Sequence, residues 1–111
     1  MSPPPVTDIA DLAAALAALD AADKTSLPIL ISPPGAADWL GVPVFAEIAR
    51  LARTRSGRAA RFILHCADNG GAAVEALARE EIDGVVFTGN DAAFERLERL
   101  AGALGKTVLK A

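Results

Sequence analysis

The chain is poor in the residues that carry metal and covalent chemistry: its 111 residues include one cysteine, Cys66, and one histidine, His65. A single cysteine cannot form an intramolecular disulfide, and no group of cysteines and histidines has the spacing of a structural metal site. We therefore expect a protein of the reducing cytoplasm that has neither a disulfide framework nor a bound metal.

Positive charge and long apolar runs are scarce as well. The formal net charge is -3, whereas nucleic acids and anionic membranes attract basic surfaces, so neither is an expected partner. No apolar run approaches the roughly 20 residues of a membrane-spanning helix. The first residues, which include Pro3, Pro4 and Pro5, lack the basic and apolar segments of a signal peptide.

What the chain has is enough apolar material for one core, since 52% of its residues are hydrophobic. Its length is that of a single domain. We expect residues 1–6 to be a flexible proline-rich tail and residues 7–111 to form one α/β domain.

Helical and extended patterns alternate along the domain. Thr7 is a candidate N-cap for a helix over residues 8–22, and a connection of about ten residues, long for this kind of loop, separates the first strand from the second helix. Two later helices begin after Asn69 and Asn90. The predicted strands are residues 28–32, 61–66, 85–88 and 107–110.

The resulting order, αβαβαβαβ, predicts a parallel sheet of four strands with right-handed crossovers. No strand alternates polar and apolar residues, so both faces of the sheet are expected to be covered. Strand order 2-1-3-4, a doubly wound sheet between two helix layers, is favoured because a monomer is then complete. Order 1-2-3-4 is the alternative. It places all helices on one side, like half of a (βα)₈ barrel, and needs a partner, most simply a second copy.

Ligands of parallel sheets bind beyond the carboxyl ends of the strands, where helix N-termini point inward. Asp68 to Gly71 is the most suggestive segment, because glycines at a helix start expose N–H groups to a small anion. It lacks the GxGxxG or Walker A spacing, so no cofactor is predicted, and the competing explanation is simple helix capping. The candidate ligand-binding residues are Ser32, Asp68, Asn69, Gly70, Gly71, Thr88 and Asn90.

Three residues are candidates for acid–base catalysis: His65, Asp68 and Asp91. A nucleophilic Cys66 assisted by His65 is not expected, because adjacent residues of a strand point to opposite faces. Asp68 and Asp91 without a visible third ligand do not define a metal site.

Two further features concern partners. Five arginines between Arg50 and Arg61 form the basic cluster, which favours the helix macrodipole and lacks the interleaved aromatics of a nucleic-acid site. Trp39 and Leu40 lie in the long loop after the first strand. They are candidates for a protein interface or a lid, or else plug the top of the core.

Together these features favour a noncatalytic module that self-associates or binds a protein partner, with a small anionic ligand at the carboxyl edge of the sheet. The alternative is a small lyase, isomerase or transferase acting on a phosphorylated or carboxylated metabolite.

Overall fold

The computed structural model describes residues 6–110, which form five strands and five helices. The strands are β1 (Val6–Asp8), β2 (Ile29–Ile31), β3 (Arg61–His65), β4 (Gly84–Val86) and β5 (Thr107–Leu109). The helices are α1 (Leu12–Ala21), α2 (Ala36–Trp39), α3 (Val42–Ser56), α4 (Gly70–Leu77) and α5 (Asp91–Leu104).

All five strands are parallel and lie in the order β1-β2-β3-β4-β5, which confirms the α/β class with a parallel sheet. The favoured order 2-1-3-4 is wrong, and the consecutive alternative is the one observed. The reason is the additional strand β1, whose residues Val6–Asp8 pair with Ile29–Ile31. β1 occupies one side of β2, so β4 has no place there.

The start of the chain differs from its prediction accordingly. Val6, assigned to the flexible tail, lies in β1, while residues 1–5 lie outside the described part of the chain. Thr7 is also in β1 rather than at a helix cap. The cap of α1 is Asp11, whose carboxylate accepts a hydrogen bond from the backbone N–H of Ala14 at 2.7 Å.

The helices lie on one face of the sheet. Each long helix contacts the next in the sequence α1, α3, α4, α5, as right-handed crossovers between consecutive strands require. Every second side chain along the strands faces the helices and packs with them in a single core. These side chains, including the two directly after β3 and β4, are Leu30, Phe62, Leu64, Cys66, Val85 and Phe87. The ring of Phe62 meets that of Phe45 from α3 edge to face.

The opposite face of the sheet carries no helix of the described chain. We call it the open face; its residues are Val6, Asp8, Ile29, Ile31, Arg61, Ile63, His65, Gly84, Val86, Thr107 and Leu109. Within residues 6–110 the helices thus cover one face only, as the alternative order 1-2-3-4 implies; that alternative leaves the other face to a partner. Ile63 and Val86, near the middle, are only 4% and 5% exposed. Neighbouring side chains thus already shield the centre of the face.

Two members of the basic cluster bind backbone carbonyls rather than solvent. Arg53 donates to the carbonyls of Glu81 and Ala60 and to the carboxylate of Asp83. Arg58 donates to three carbonyls at the end of α1. These guanidinium groups join loops at the amino edge of the sheet.

Candidate functional site

The parallel order brings the loops after β2, β3 and β4 to one edge, which we call the rim: residues 32–35, 66–69 and 87–90. Two hydrogen bonds link neighbouring loops. The backbone N–H of Thr88 donates to the carbonyl of Ala67 at 2.7 Å, and that of Gly35 donates to Nδ1 of His65 at 3.0 Å. All three predicted ligand-binding segments therefore reach the same edge.

His65 is the best-positioned polar side chain of the rim. Its Nδ1 atom accepts hydrogen bonds from the N–H groups of Gly35 and Ala67, at 3.0 and 3.2 Å. A nitrogen that accepts two such bonds carries no proton, so the ring proton is assigned to Nε2. Ala67 has φ +51°, the left-handed region that non-glycine residues rarely adopt.

The hydroxyl of Ser32 holds the backbone of His65 in place. It is 2% exposed, and its hydroxyl accepts a hydrogen bond from the backbone N–H of His65 at 2.8 Å. The same hydroxyl lies 3.4 Å from the carbonyl of Pro33 as a donor. The side chain that was predicted to bind a ligand is thus occupied in joining β2 to β3.

The two asparagines of the rim cap helices. The amide oxygen of Asn69 accepts from the N–H of Ala72 at 2.9 Å, and that of Asn90 accepts from the N–H of Ala93 at 2.8 Å. The amide nitrogen of Asn69 also donates to Asp38 at 2.7 Å, a contact that the sequence did not suggest. Asn69 and Asn90 therefore have the capping role that was the competing explanation.

The rim carboxylates do not converge on a cation. Asp68 is exposed, and Asp91 lies 3.3 Å from the ammonium group of Lys110. Within residues 6–110, no three His, Cys, Asp or Glu side chains form a group that could hold a metal ion. Gly70 and Gly71 form the first turn of α4, and Thr88 is exposed in the loop after β4.

Cys66 is separated from this chemistry. It is fully buried on the helix-covered side of the sheet, and burial raises the pKa of its thiol to about 12. A thiol with that pKa stays protonated at neutral pH and is a poor nucleophile.

Trp39 ends the short helix α2 and is 59% exposed, with its indole N–H 3.4 Å from the carbonyl of Pro34. It does not plug the core, so that explanation is wrong for Trp39. Leu40 is half-buried and packs against the core. Of the pair, only the indole offers a large free surface beside the rim.

The open face is the other candidate site. Toward its amino end is a depression of about 440 Å³, lined by Ile29, Arg61, Ile63, Asp83, Gly105, Thr107 and Leu109. We call it the Gly84 hollow, because Gly84 lies in register between Ile63 and Thr107 and contributes no side chain. In the sequence, every second residue of each strand belongs to the open face. That alternation identifies the face only once the strand order is known.

No family model, curated protein or solved structure matches this chain. Among the described residues, no helix is long and apolar enough to cross a membrane.

Proposed function

We propose that the protein is a noncatalytic α/β module that self-associates through the open face of its sheet. One observation carries the proposal: all five strands contribute an aliphatic side chain to a face that no helix of residues 6–110 covers. Val6 and Leu109 at the two edges are 64% and 40% exposed. Covering these side chains with another apolar surface is favourable by about 25 cal/mol per Å² of apolar area.

The size of the face suits a weak dimer. Five strands about 4.8 Å apart and three to five residues long give a face of roughly 24 by 10–17 Å. Two such faces bury on the order of 500–800 Å² together, and contacts around their edges bring the total toward the low end of specific interfaces, about 1,200 Å². We therefore expect a dissociation constant in the micromolar range.

The charges of the open face favour a second copy as the occupant. Its strands carry one carboxylate, Asp8, and one guanidinium, Arg61, and neither has an ion-pair partner among the described residues. The two charges cancel, so two copies that face each other through this patch do not repel one another. A net charge of -3 is therefore not concentrated on this surface.

Sedimentation velocity over a concentration series tests the proposal. The wild-type protein is expected to shift from monomer to dimer across the micromolar range. Ile31→Lys places a charge on the open face and is expected to hold the protein as a monomer. Val74→Lys is the matched control, because Val74 is an exposed aliphatic residue of the helix layer, and its variant is expected to dimerise normally. A wild-type monomer at millimolar concentration, or equal behaviour of the two variants, contradicts the proposal.

A second candidate function is favoured by the fixed imidazole of His65. With Nδ1 held by two backbone N–H groups, Nε2–H is left as a donor at the rim, the edge of the sheet that also carries exposed Asp68 and Thr88. This arrangement supports the small anionic ligand at the rim and, as a further step, acid–base chemistry on a phosphorylated or carboxylated metabolite. A thermal-shift screen of such metabolites tests it. A stabilising metabolite whose effect is lost in Asp68→Ala supports the rim site, and a screen with no stabilising compound counts against it.

A further inference from the structure

We infer that the Gly84 hollow binds a small carboxylic acid with an aliphatic body, and that the second copy closes over this ligand. The closure rests on the proposed self-association through the open face, whereas the ligand class rests on the walls and charges of the hollow alone.

The hollow lies around Gly84, where the sheet carries no side chain. The space that a Cβ atom would take at Gly84 is filled by the carbonyl oxygen of Thr107 at 2.6 Å and Cδ1 of Ile63 at 2.9 Å, and both residues line the hollow. Ile29 and Leu109 form aliphatic walls on either side. A volume of about 440 Å³ is within the range of about 300–1,000 Å³ typical of small-molecule sites.

The charge of the hollow comes from Arg61. This residue is the first of β3 and lies on the open face, and its guanidinium has no carboxylate within 4.0 Å among the described residues. Asp83 also lines the hollow, but its carboxylate accepts hydrogen bonds from Arg53 at 2.7 Å and from the N–H of Phe62 at 2.8 Å. Arg53 thereby offsets the charge of Asp83, and Arg61 is left as the uncompensated cation.

A single cation beside aliphatic walls favours binding of one class of anion over another. A carboxylate matches the fork of a guanidinium and accepts two parallel hydrogen bonds. A phosphorylated metabolite brings about two negative charges, which one arginine does not balance, and its polar body would not bury the aliphatic walls. A monocarboxylate with a chain of about eight carbons satisfies both the charge and the walls.

Closure by a second copy strengthens both contacts. Excluding water lowers the effective dielectric around the ion pair and removes the ligand chain from solvent. A ligand that binds better between two copies than to one stabilises the dimer by mass action. The ligand is thus expected to tighten self-association.

The test uses octanoate and 1-octanol as probes, which share a chain length and differ in the carboxylate. Sedimentation measures the dimer dissociation constant with each probe, for the wild-type protein and for Arg61→Gln and Arg96→Gln. Arg96 is the matched control, because it is exposed beside an apolar groove of about 370 Å³ between α4 and α5. Chemical shifts of the Gly84 and Ile63 amides report binding independently of dimerisation.

We expect octanoate to lower the dissociation constant of the wild-type dimer by about ten-fold and 1-octanol to lower it by less than about three-fold. The difference between the probes should vanish in Arg61→Gln and persist in Arg96→Gln. Equal effects of the two probes, loss of the difference in Arg96→Gln instead, or dissociation of the dimer by octanoate would overturn the inference while leaving self-association intact. If the protein is a monomer throughout, self-association and the closure both fail, and the Gly84 and Ile63 shifts alone decide the ligand site.

Discussion

Gly35 and His65 are joined by a hydrogen bond from the backbone N–H of the first to Nδ1 of the second, 3.0 Å long and spanning 30 positions of the chain. His65 donates its own backbone N–H to the hydroxyl of Ser32. The imidazole and the hydroxyl together hold the loop after β2 against the end of β3. The rim is therefore held in place by contacts within the chain.

Replacing Ser32 by alanine is expected to destabilise the fold. The variant leaves the backbone N–H of His65 without its acceptor in a site where Ser32 is 2% exposed, and an unsatisfied buried donor costs about 1–3 kcal/mol. Urea denaturation measures the loss. Ser26→Ala is the control, because the hydroxyl of Ser26 bonds the carbonyl of Asp23 at an exposed turn; its effect should stay below about 0.5 kcal/mol.

Two arginines of α3 should differ sharply in their contribution to stability. Arg53 binds Asp83 and two carbonyls and lies 4.6 Å above the ring of Phe62, so Arg53→Met is expected to cost about 2–3 kcal/mol. Arg50 pairs only with exposed Glu47 one turn away, so Arg50→Met should cost less than about 1 kcal/mol. Similar denaturation midpoints for the two variants would show that the Arg53 contacts do not support the sheet.

The parallel α/β class was predictable because it depends on local patterns. Short apolar strands alternated with amphipathic helices, and each pattern is visible within about 15 residues. The strand order was not, because it depends on β1. Val6, Thr7 and Asp8 follow three prolines and show no apolar run, and their pairing with β2 is a long-range contact that no local pattern encodes.

The rim was predicted in position but not in detail. The loops that carry Ser32, Asn69 and Asn90 follow strand ends in the sequence, so parallel pairing alone places them together. The hydrogen bond from Gly35 to His65 accompanies a turn at Ala67, whose φ is positive. An alanine in the sequence does not predict a positive φ, so this turn could not be foreseen. The open face was expected only under the alternative order 1-2-3-4, because the favoured order placed helices on both sides of the sheet.

Cys66 should resist thiol reagents in the native protein. Burial raises its pKa to about 12, so at pH 8 the thiol is neutral and inaccessible, and it should react with a disulfide reagent only in denaturant. The raised pKa has a linked effect on stability. Because the folded pKa exceeds the unfolded value of about 8.5, this contribution is full below pH 8.5 and is lost as pH rises toward 12. Urea titrations of Cys66→Ala should show a flatter decline above that pH than the wild-type protein.

Trp39 provides an intrinsic probe of the proposed self-association, since it is the one tryptophan of the chain. Its indole is largely exposed beside the rim, so the dilute monomer should emit at long wavelength. If α2 contributes to the dimer contact, emission shifts to shorter wavelength as concentration rises through the dissociation constant. In that case Trp39→Ala weakens the dimer. A constant emission maximum across the transition places Trp39 outside the interface and limits the contact to the open face.

Two glycine-to-alanine variants should change stability in opposite directions. At Gly84 the new Cβ would meet the Thr107 carbonyl oxygen at 2.6 Å. Separating β4 from β5 to relieve that contact should cost about 1–3 kcal/mol. At Gly102, within α5, nothing lies within 4 Å of the new Cβ, so alanine should stabilise the helix by about 0.5–1 kcal/mol. Thermal and urea unfolding of both variants measure the two effects. An unchanged stability of Gly84→Ala would mean that β5 moves away from β4 without cost. The close packing of the two strands at Gly84 would then not hold the hollow in a fixed shape.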